Sequence, residues 1–166
     1  MKITVTSGSG EGNTTLSAFD TALKAAGVYN YNLIKLSSVI PPNTEIILEK
    51  WKTPREDHGK KLYVVLAEER SDQVGKAIAA GIGWYQIEDG RGVFVEHHTI
   101  VESTDEKEAE RAVAEKIEFS IKDLCDNRNY PFEKKKMKML ISSKQVGKKP
   151  ACALVIAVYE SSSWLI

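Results

Sequence analysis

Cysteine, histidine and excess charge are all scarce in this chain, and each scarcity argues against a class of function. Cys125 and Cys152 are its two cysteines. They lie far apart and in neither a C-x-x-C nor any metal-ligand spacing, so buried, reduced thiols of a cytosolic protein are expected rather than a disulfide framework. Three histidines are present, and His97 and His98 are adjacent, so in a strand they face opposite ways and cannot chelate one metal together. With only His58 left, a histidine-built zinc centre is not expected. Lysine plus arginine and aspartate plus glutamate number 23 each, so no net field draws the chain to nucleic acid or to an anionic membrane. Neither the apolar run of a signal peptide nor that of a membrane span follows the first strand, and a soluble, cytoplasmic protein is expected. Internal repeats, low-complexity tracts and linkers are also missing. At 166 residues and 42% hydrophobic content, one domain over 1–166 with one substantial core is the expectation.

What the chain does have is an unusual junction, Asn32-Leu33-Ile34-Lys35-Leu36-Ser37-Ser38-Val39-Ile40-Pro41-Pro42. Alternation from Tyr31 to Leu36 marks a strand with Asn32 on its polar face. Pro41 and Pro42 end the sheet geometry, because proline has no amide hydrogen to donate and restricts the residue before it. A pair of nucleophilic hydroxyls, Ser37 and Ser38, thus sits on a peptide anchored on both sides. If Ser38 Oγ attacked the Ser37 carbonyl, the amide would become an ester. A peptide amide is inert enough that such a step needs backbone strain or hydrogen bonds to the developing oxyanion.

Around this junction the elements follow from local pattern. Met1 to Thr6 alternates as a strand, and Ser7 to Asn13, with three glycines, follows as a turn whose spacing matches neither a dinucleotide fingerprint nor a P-loop. Thr14 or Thr15 caps a helix over Leu16 to Ala26 that Gly27 ends, with Leu16, Phe19, Leu23 and Ala26 as its core face. Asp20 lies at the border of that face, either as an exposed carboxylate or as an anion at a pocket edge that pairs with a substrate cation. Thr44 to Trp51 and Lys61 to Leu66 read as strands. Lys76 to Ile87, alanine-rich but interrupted by Gly81 and Gly83, reads as a strand paired with Gly92 to Val101 around Asp89-Gly90. In that second arm Val93, Val95 and His97 share one face, and Phe94, Glu96 and His98 the other. Glu96 is then either an exposed sheet residue or a carboxyl beside an aromatic ring, with the raised pKa a general acid needs. Ser103 or Thr104 opens a long helix buried through Ala109, Ala112, Val113, Ile117 and Ile121. Lys134-Lys135-Lys136 reads as a solvated edge. Met139 to Gln145 and Ala151 to Tyr159 are expected as a last hairpin, its second strand central. Many strands and two helices sum to an α+β domain, two packed, mostly antiparallel or mixed sheets with helices outside.

Gly10-Glu11-Gly12, the run from Leu16 to Leu23, the run from Asn32 to Pro42, and Glu96 together resemble the pyruvoyl-dependent arginine decarboxylases. The likeness covers nearly the whole chain, and Ser-Ser-x-x-Pro-Pro after the Phe-Asp helix is its most specific part. The resemblance implies a four-layer αββα sandwich that assembles as a homotrimer or a dimer of trimers, with active sites between subunits. It implies self-cleavage between Ser37 and Ser38 into a small chain, 1–37, and a large chain, 38–166. Ser38 would become a covalent pyruvoyl group, with no pyridoxal phosphate and no metal, and L-arginine would be converted to agmatine and carbon dioxide in polyamine biosynthesis. Residue by residue, Asn32 would stabilise the oxyanion of self-cleavage, and Glu96 would protonate the substrate carbon. Asp20 would pair with the guanidinium, and Leu23 would line its methylenes. Lysine or ornithine stays open as an alternative substrate, and an uncleaved trimeric binding module as an alternative function.

Overall fold

The structure is a computed structural model that describes residues 1–165. Strand β1 (Lys2–Glu11) runs straight through the stretch expected to be a glycine turn. A Cβ on Gly8 would meet the backbone of Ala22 and Ala26, and one on Gly10 the side chain of Thr21. These glycines serve the close approach of helix α1 (Thr15–Ala26), not a bend. For the same reason α1 buries Ala18, Ala22 and Ala26, with Phe19 and Leu23 on its flanks and Leu16 exposed, in place of the larger stripe expected. Thr14 is its cap, in a capping box with Ser17, and Gly27 ends it at φ 84°.

The expected strand over Tyr31 to Leu36 is shorter, β2 (Asn32–Lys35), and the chain then changes sheets to form β3 (Val39–Ile40). Strands β4 (Glu45–Leu48), β5 (Lys61–Ser71), β6 (Ala77–Gln86) and β7 (Gly92–Val101) follow. Helix α2 (Glu106–Asn127) is capped by Asp105, whose carboxylate accepts from the Lys107 amide, rather than by Ser103 or Thr104. Strands β8 (Lys138–Gln145) and β9 (Ala151–Ser162) close the chain. They are not the hairpin expected. β8 pairs with β6, and β9 pairs with β1 and β5. Turn residues between two strands permit a hairpin but do not oblige one, and here the connection passes from one sheet to the other.

The result is an α+β protein with a mixed five-stranded sheet, β2-β5-β9-β1-β4, and an antiparallel four-stranded sheet, β3-β7-β6-β8. β9 is central, as its unbroken apolar run demands. One apolar cluster joins α1 to the five-stranded sheet through Ala18, Ala22, Leu62, Leu154 and Ile156. A second joins the two sheets through Ile3, Val65, Ile82, Trp84, Phe94 and Val155. A third joins α2 to the four-stranded sheet through Ala79, Tyr85, Val95, Val113, Ile117 and Ile121. Gly81 and Gly83 lie beneath Val113 and Ile117, where side chains would collide. Both cysteines are buried free thiols, and burial pushes the Cys152 thiol up to about 12. No helix among the described residues is long and apolar enough to cross a membrane.

Candidate active site

Leu36 and Ser38 are held by different sheets. The Leu36 amide donates to the Val64 carbonyl of β5 at 2.8 Å, and the Phe94 amide of β7 donates to the Ser38 carbonyl at 2.8 Å. The Ser37–Ser38 peptide therefore bridges the two sheets with a tether on each side. To make the crossing, Ser38 takes φ 64°. In that left-handed region the Cβ of an L-residue crowds the following carbonyl, at a cost of about 1–2 kcal/mol. Packing and the two tethers hold the residue there.

β7 explains what faces this serine. Its period-two alternation turns Phe94 into the layer between the sheets and Val95 toward α2. Glu96 follows Phe94 into the inner layer, and Ser38 Oγ donates to Glu96 Oε1 at 2.5 Å. Burial raises the Glu96 pKa above the ordinary carboxyl value, against the lowering effects of the Ser38 hydroxyl, its own backbone amide and the Lys35 charge. The two histidines diverge as a strand requires. His97 Nε2 lies 2.7 Å from Ser120 Oγ on α2, and His98 Nδ1 lies 2.5 Å from Glu69 Oε2 on the other sheet. Burial, helped by the Lys116 and His98 charges, holds the His97 pKa below its ordinary value.

Ser38 and Glu96 open onto a cavity of about 380 Å³, lined also by Phe94, His97, Ser120, Asp123 and Leu124. Ser120, Asp123 and Leu124 were not anticipated from the sequence, because only the docking of α2 beside β7 brings them near the serine. Tyr159 was missed as well. Its hydroxyl donates to the Val39 carbonyl at 2.8 Å, and its ring meets Phe94 edge-on at 6.2 Å. The available signal was a tyrosine closing the apolar run of β9, a position that favours a ring half inside with its hydroxyl bonded.

The other expected site residues make their contacts away from Ser38. Asn32 and Leu36 both follow the β5 ladder, so about 13 Å separates them at roughly 3.3 Å per residue. The Asn32 side chain donates instead to the Gly59 carbonyl at 2.7 Å. Asp20 is exposed and pairs with Lys24 at 3.4 Å. Leu23 is partly buried against the α1 cluster, which also includes Leu33 and Trp51. Ser37 is exposed at the crossing itself. Among the described residues no group of three histidine, cysteine or carboxylate side chains is arranged to hold a metal ion.

Fold and site together define a class, an α+β protein of two sheets whose bridging serine, in a left-handed backbone conformation, is set against a buried carboxyl group. A family model described as "Pyruvoyl-dependent arginine decarboxylase (PvlArgDC)" matches residues 2–163. The chain belongs to that family. A relative from Picrophilus torridus with the same name is 34% identical over 108 residues, which is 63% of this chain and 59% of that protein. Another, from Thermoplasma volcanium, is 33% identical over 104 residues, 61% of this chain and 57% of that protein. In both, the matched stretch spans less than two thirds of the relative's length. A relative from Pyrococcus abyssi, likewise named, is 34% identical over 148 residues, 89% of this chain and 87% of that protein.

Proposed function

We propose that this chain cleaves itself between Ser37 and Ser38 and then, as a cytoplasmic enzyme, decarboxylates L-arginine to agmatine and carbon dioxide. The observation that carries the reading is the short Ser38–Glu96 contact on a peptide tethered between two sheets at a positive φ. In maturation Ser38 Oγ forms a bond to the Ser37 carbonyl carbon, its proton passes by way of Glu96 to the Ser38 nitrogen, and the Ser37–Ser38 C–N bond breaks to give an ester and a free amine. Loss of the Ser38 α-proton expels the Ser37 carboxylate and leaves a dehydroalanine terminus. Water then replaces ammonia there. The products are a chain of residues 1–37 and one of residues 38–166 that begins with a pyruvoyl group.

Ser38 is a fitting precursor, since its side chain already faces the cavity while its carbonyl is held by Phe94. Once formed, the group supplies a ketone for the substrate amine and an electron sink for the bond to the departing carboxylate, without pyridoxal phosphate or a metal. The protein's own contribution is placement and a proton. Glu96, kept protonated to higher pH than an exposed glutamate, delivers that proton to the substrate carbon from which carbon dioxide has left.

Ser38 and Glu96 make half of this site. The separation of Asn32, Asp20 and Leu23 from them within one protomer supports an assembly, a trimer or a dimer of trimers, in which a neighbouring protomer supplies the other half. Asn32 then stabilises the oxyanion of maturation, Asp20 meets the guanidinium with charge-assisted hydrogen bonds, and Leu23 lines the methylenes. The contacts of the two helices with the outer sides of the two sheets support a four-layer αββα order for each protomer.

Intact mass of the purified protein tests the reading. Two chains divided at Ser37/Ser38, the larger blocked to N-terminal sequencing and reactive toward a hydrazine, are expected. A single 18.5 kDa species after prolonged incubation would overturn it. Release of carbon dioxide from arginine, lysine and ornithine then decides the substrate, and equal turnover of arginine and lysine would defeat the choice of arginine.

A further inference from the structure

Cleavage removes one of the two tethers on the Ser37–Ser38 peptide, because Leu36, bonded to Val64, then belongs to the small chain and no longer restrains residue 38. The new end at residue 38 is then held only from its far side, where β3 is two residues long and pairs Val39 with Val93 and Ile40 with Gly92. A chain end on so short a strand frays unless further contacts restrain it. Two such contacts exist, the Phe94 amide on the Ser38 carbonyl and the Tyr159 hydroxyl on the Val39 carbonyl, both at 2.8 Å.

β9 is shaped to deliver that hydroxyl. Its pairing with β5 changes register between Tyr63, opposite Glu160, and Val64, opposite Val158, so Tyr159 is left without a partner in a β-bulge. A bulge bends its strand and re-aims the side chain it carries. This one lies opposite Val64, the residue whose carbonyl receives the Leu36 amide. The Tyr159 ring packs against Phe94 and the inter-sheet cluster, which fixes the direction of the hydroxyl. Burial and the nearby Glu96 charge push the phenol pKa upward, so the group stays a donor throughout the neutral range.

We propose that Tyr159 is a positioning residue that clamps the chain end created at Ser38, holding it beside Glu96 after the bond to Ser37 has gone. The proposal rests on the self-cleavage reading. It assigns Tyr159 no part in the chemical steps, only in keeping the reacting end where Phe94 and Glu96 can serve it.

Tyr159→Phe removes the hydroxyl and keeps the ring on Phe94. The variant is expected to fold and to cleave completely by intact mass, and its kcat to fall about tenfold, the worth of one hydrogen bond, with KM for arginine within about twofold. Hydrogen–deuterium exchange supplies a readout independent of turnover. Peptides covering Val39 and Ile40 should exchange faster in cleaved Tyr159→Phe than in cleaved wild type. The same substitution should leave that segment unchanged in an uncleaved Ser38→Ala background, where the Leu36 tether persists. Wild-type exchange and wild-type kcat in the cleaved variant would overturn the clamp. Equal loosening in the cleaved and uncleaved proteins would do so too, since it would assign Tyr159 to the fold at large. A wild-type protein that never cleaves would instead overturn the function on which the clamp depends.

Discussion

The left-handed backbone at Ser38 can be weighed with two variants that differ by one methyl group. Ser38→Ala and Ser38→Gly both delete the nucleophile and the hydrogen bond to Glu96, so each should remain one chain of 18.5 kDa and the lost contact cancels between them. At φ 64°, alanine retains the clash of Cβ with the following carbonyl, about 1–2 kcal/mol. Glycine escapes it but gives up about 0.5–1 kcal/mol to its freer unfolded chain. The balance predicts that the glycine variant is the more stable by about 0.5–1 kcal/mol, the opposite of the usual order of these two residues. Urea denaturation followed by circular dichroism would register this as a midpoint higher by about 0.5 M, at a slope of 1–3 kcal/mol/M. An alanine variant as stable as the glycine variant, or more so, would refute the claim that strain is stored at the Ser37–Ser38 peptide.

Two further outcomes follow from burial and packing. The Glu96 pKa is raised on folding, so its contribution to stability is fully present below the unfolded value, about 4.3, and is lost as pH rises through the folded value. In an uncleaved Ser38→Ala background, Glu96→Gln should therefore melt with its parent near pH 4 and above it at pH 8, and a difference independent of pH would remove burial as the cause. Gly8→Ala would push a methyl group into the backbone of Ala22 and Ala26. A loss of about 1–3 kcal/mol is expected from such overpacking, and an unchanged melting temperature would show that α1 can move off the sheet at little cost.

How far local pattern reached can be read from single residues. Gly81 and Gly83 in an alanine-rich run correctly favoured a strand over a helix, and the Asp89-Gly90 turn located the hairpin it forms with β7. Alternation on β7 then put Phe94, Glu96 and His98 on one face before any neighbour was known. Helical spacing misled at α1, where it selected Leu16, which is exposed, and passed over Ala18 and Ala22, which are buried. The strand beneath carries glycines that bring the helix backbone too close for large side chains, a fact about the partner and not the helix. β8 and β9 failed as a hairpin for a related reason, since each strand's hydrophobic pattern suits either sheet.

The sequence by itself determined both helices and most of the strands, the serine pair before two prolines, and the face on which Glu96 would lie. Those are matters of period, of turn chemistry and of the resemblance carried by short motifs, all written within a few residues. Tertiary structure alone decided that Ser37 and Ser38 span two sheets, that Ser38 must take a left-handed conformation to do so, and that Glu96 and Tyr159 meet it there. Each of these contacts joins residues far apart in the chain, 58 positions between Ser38 and Glu96 and 120 between Val39 and Tyr159. Their meeting is set by how twisted sheets stack and where a bulge falls, which no local pattern encodes.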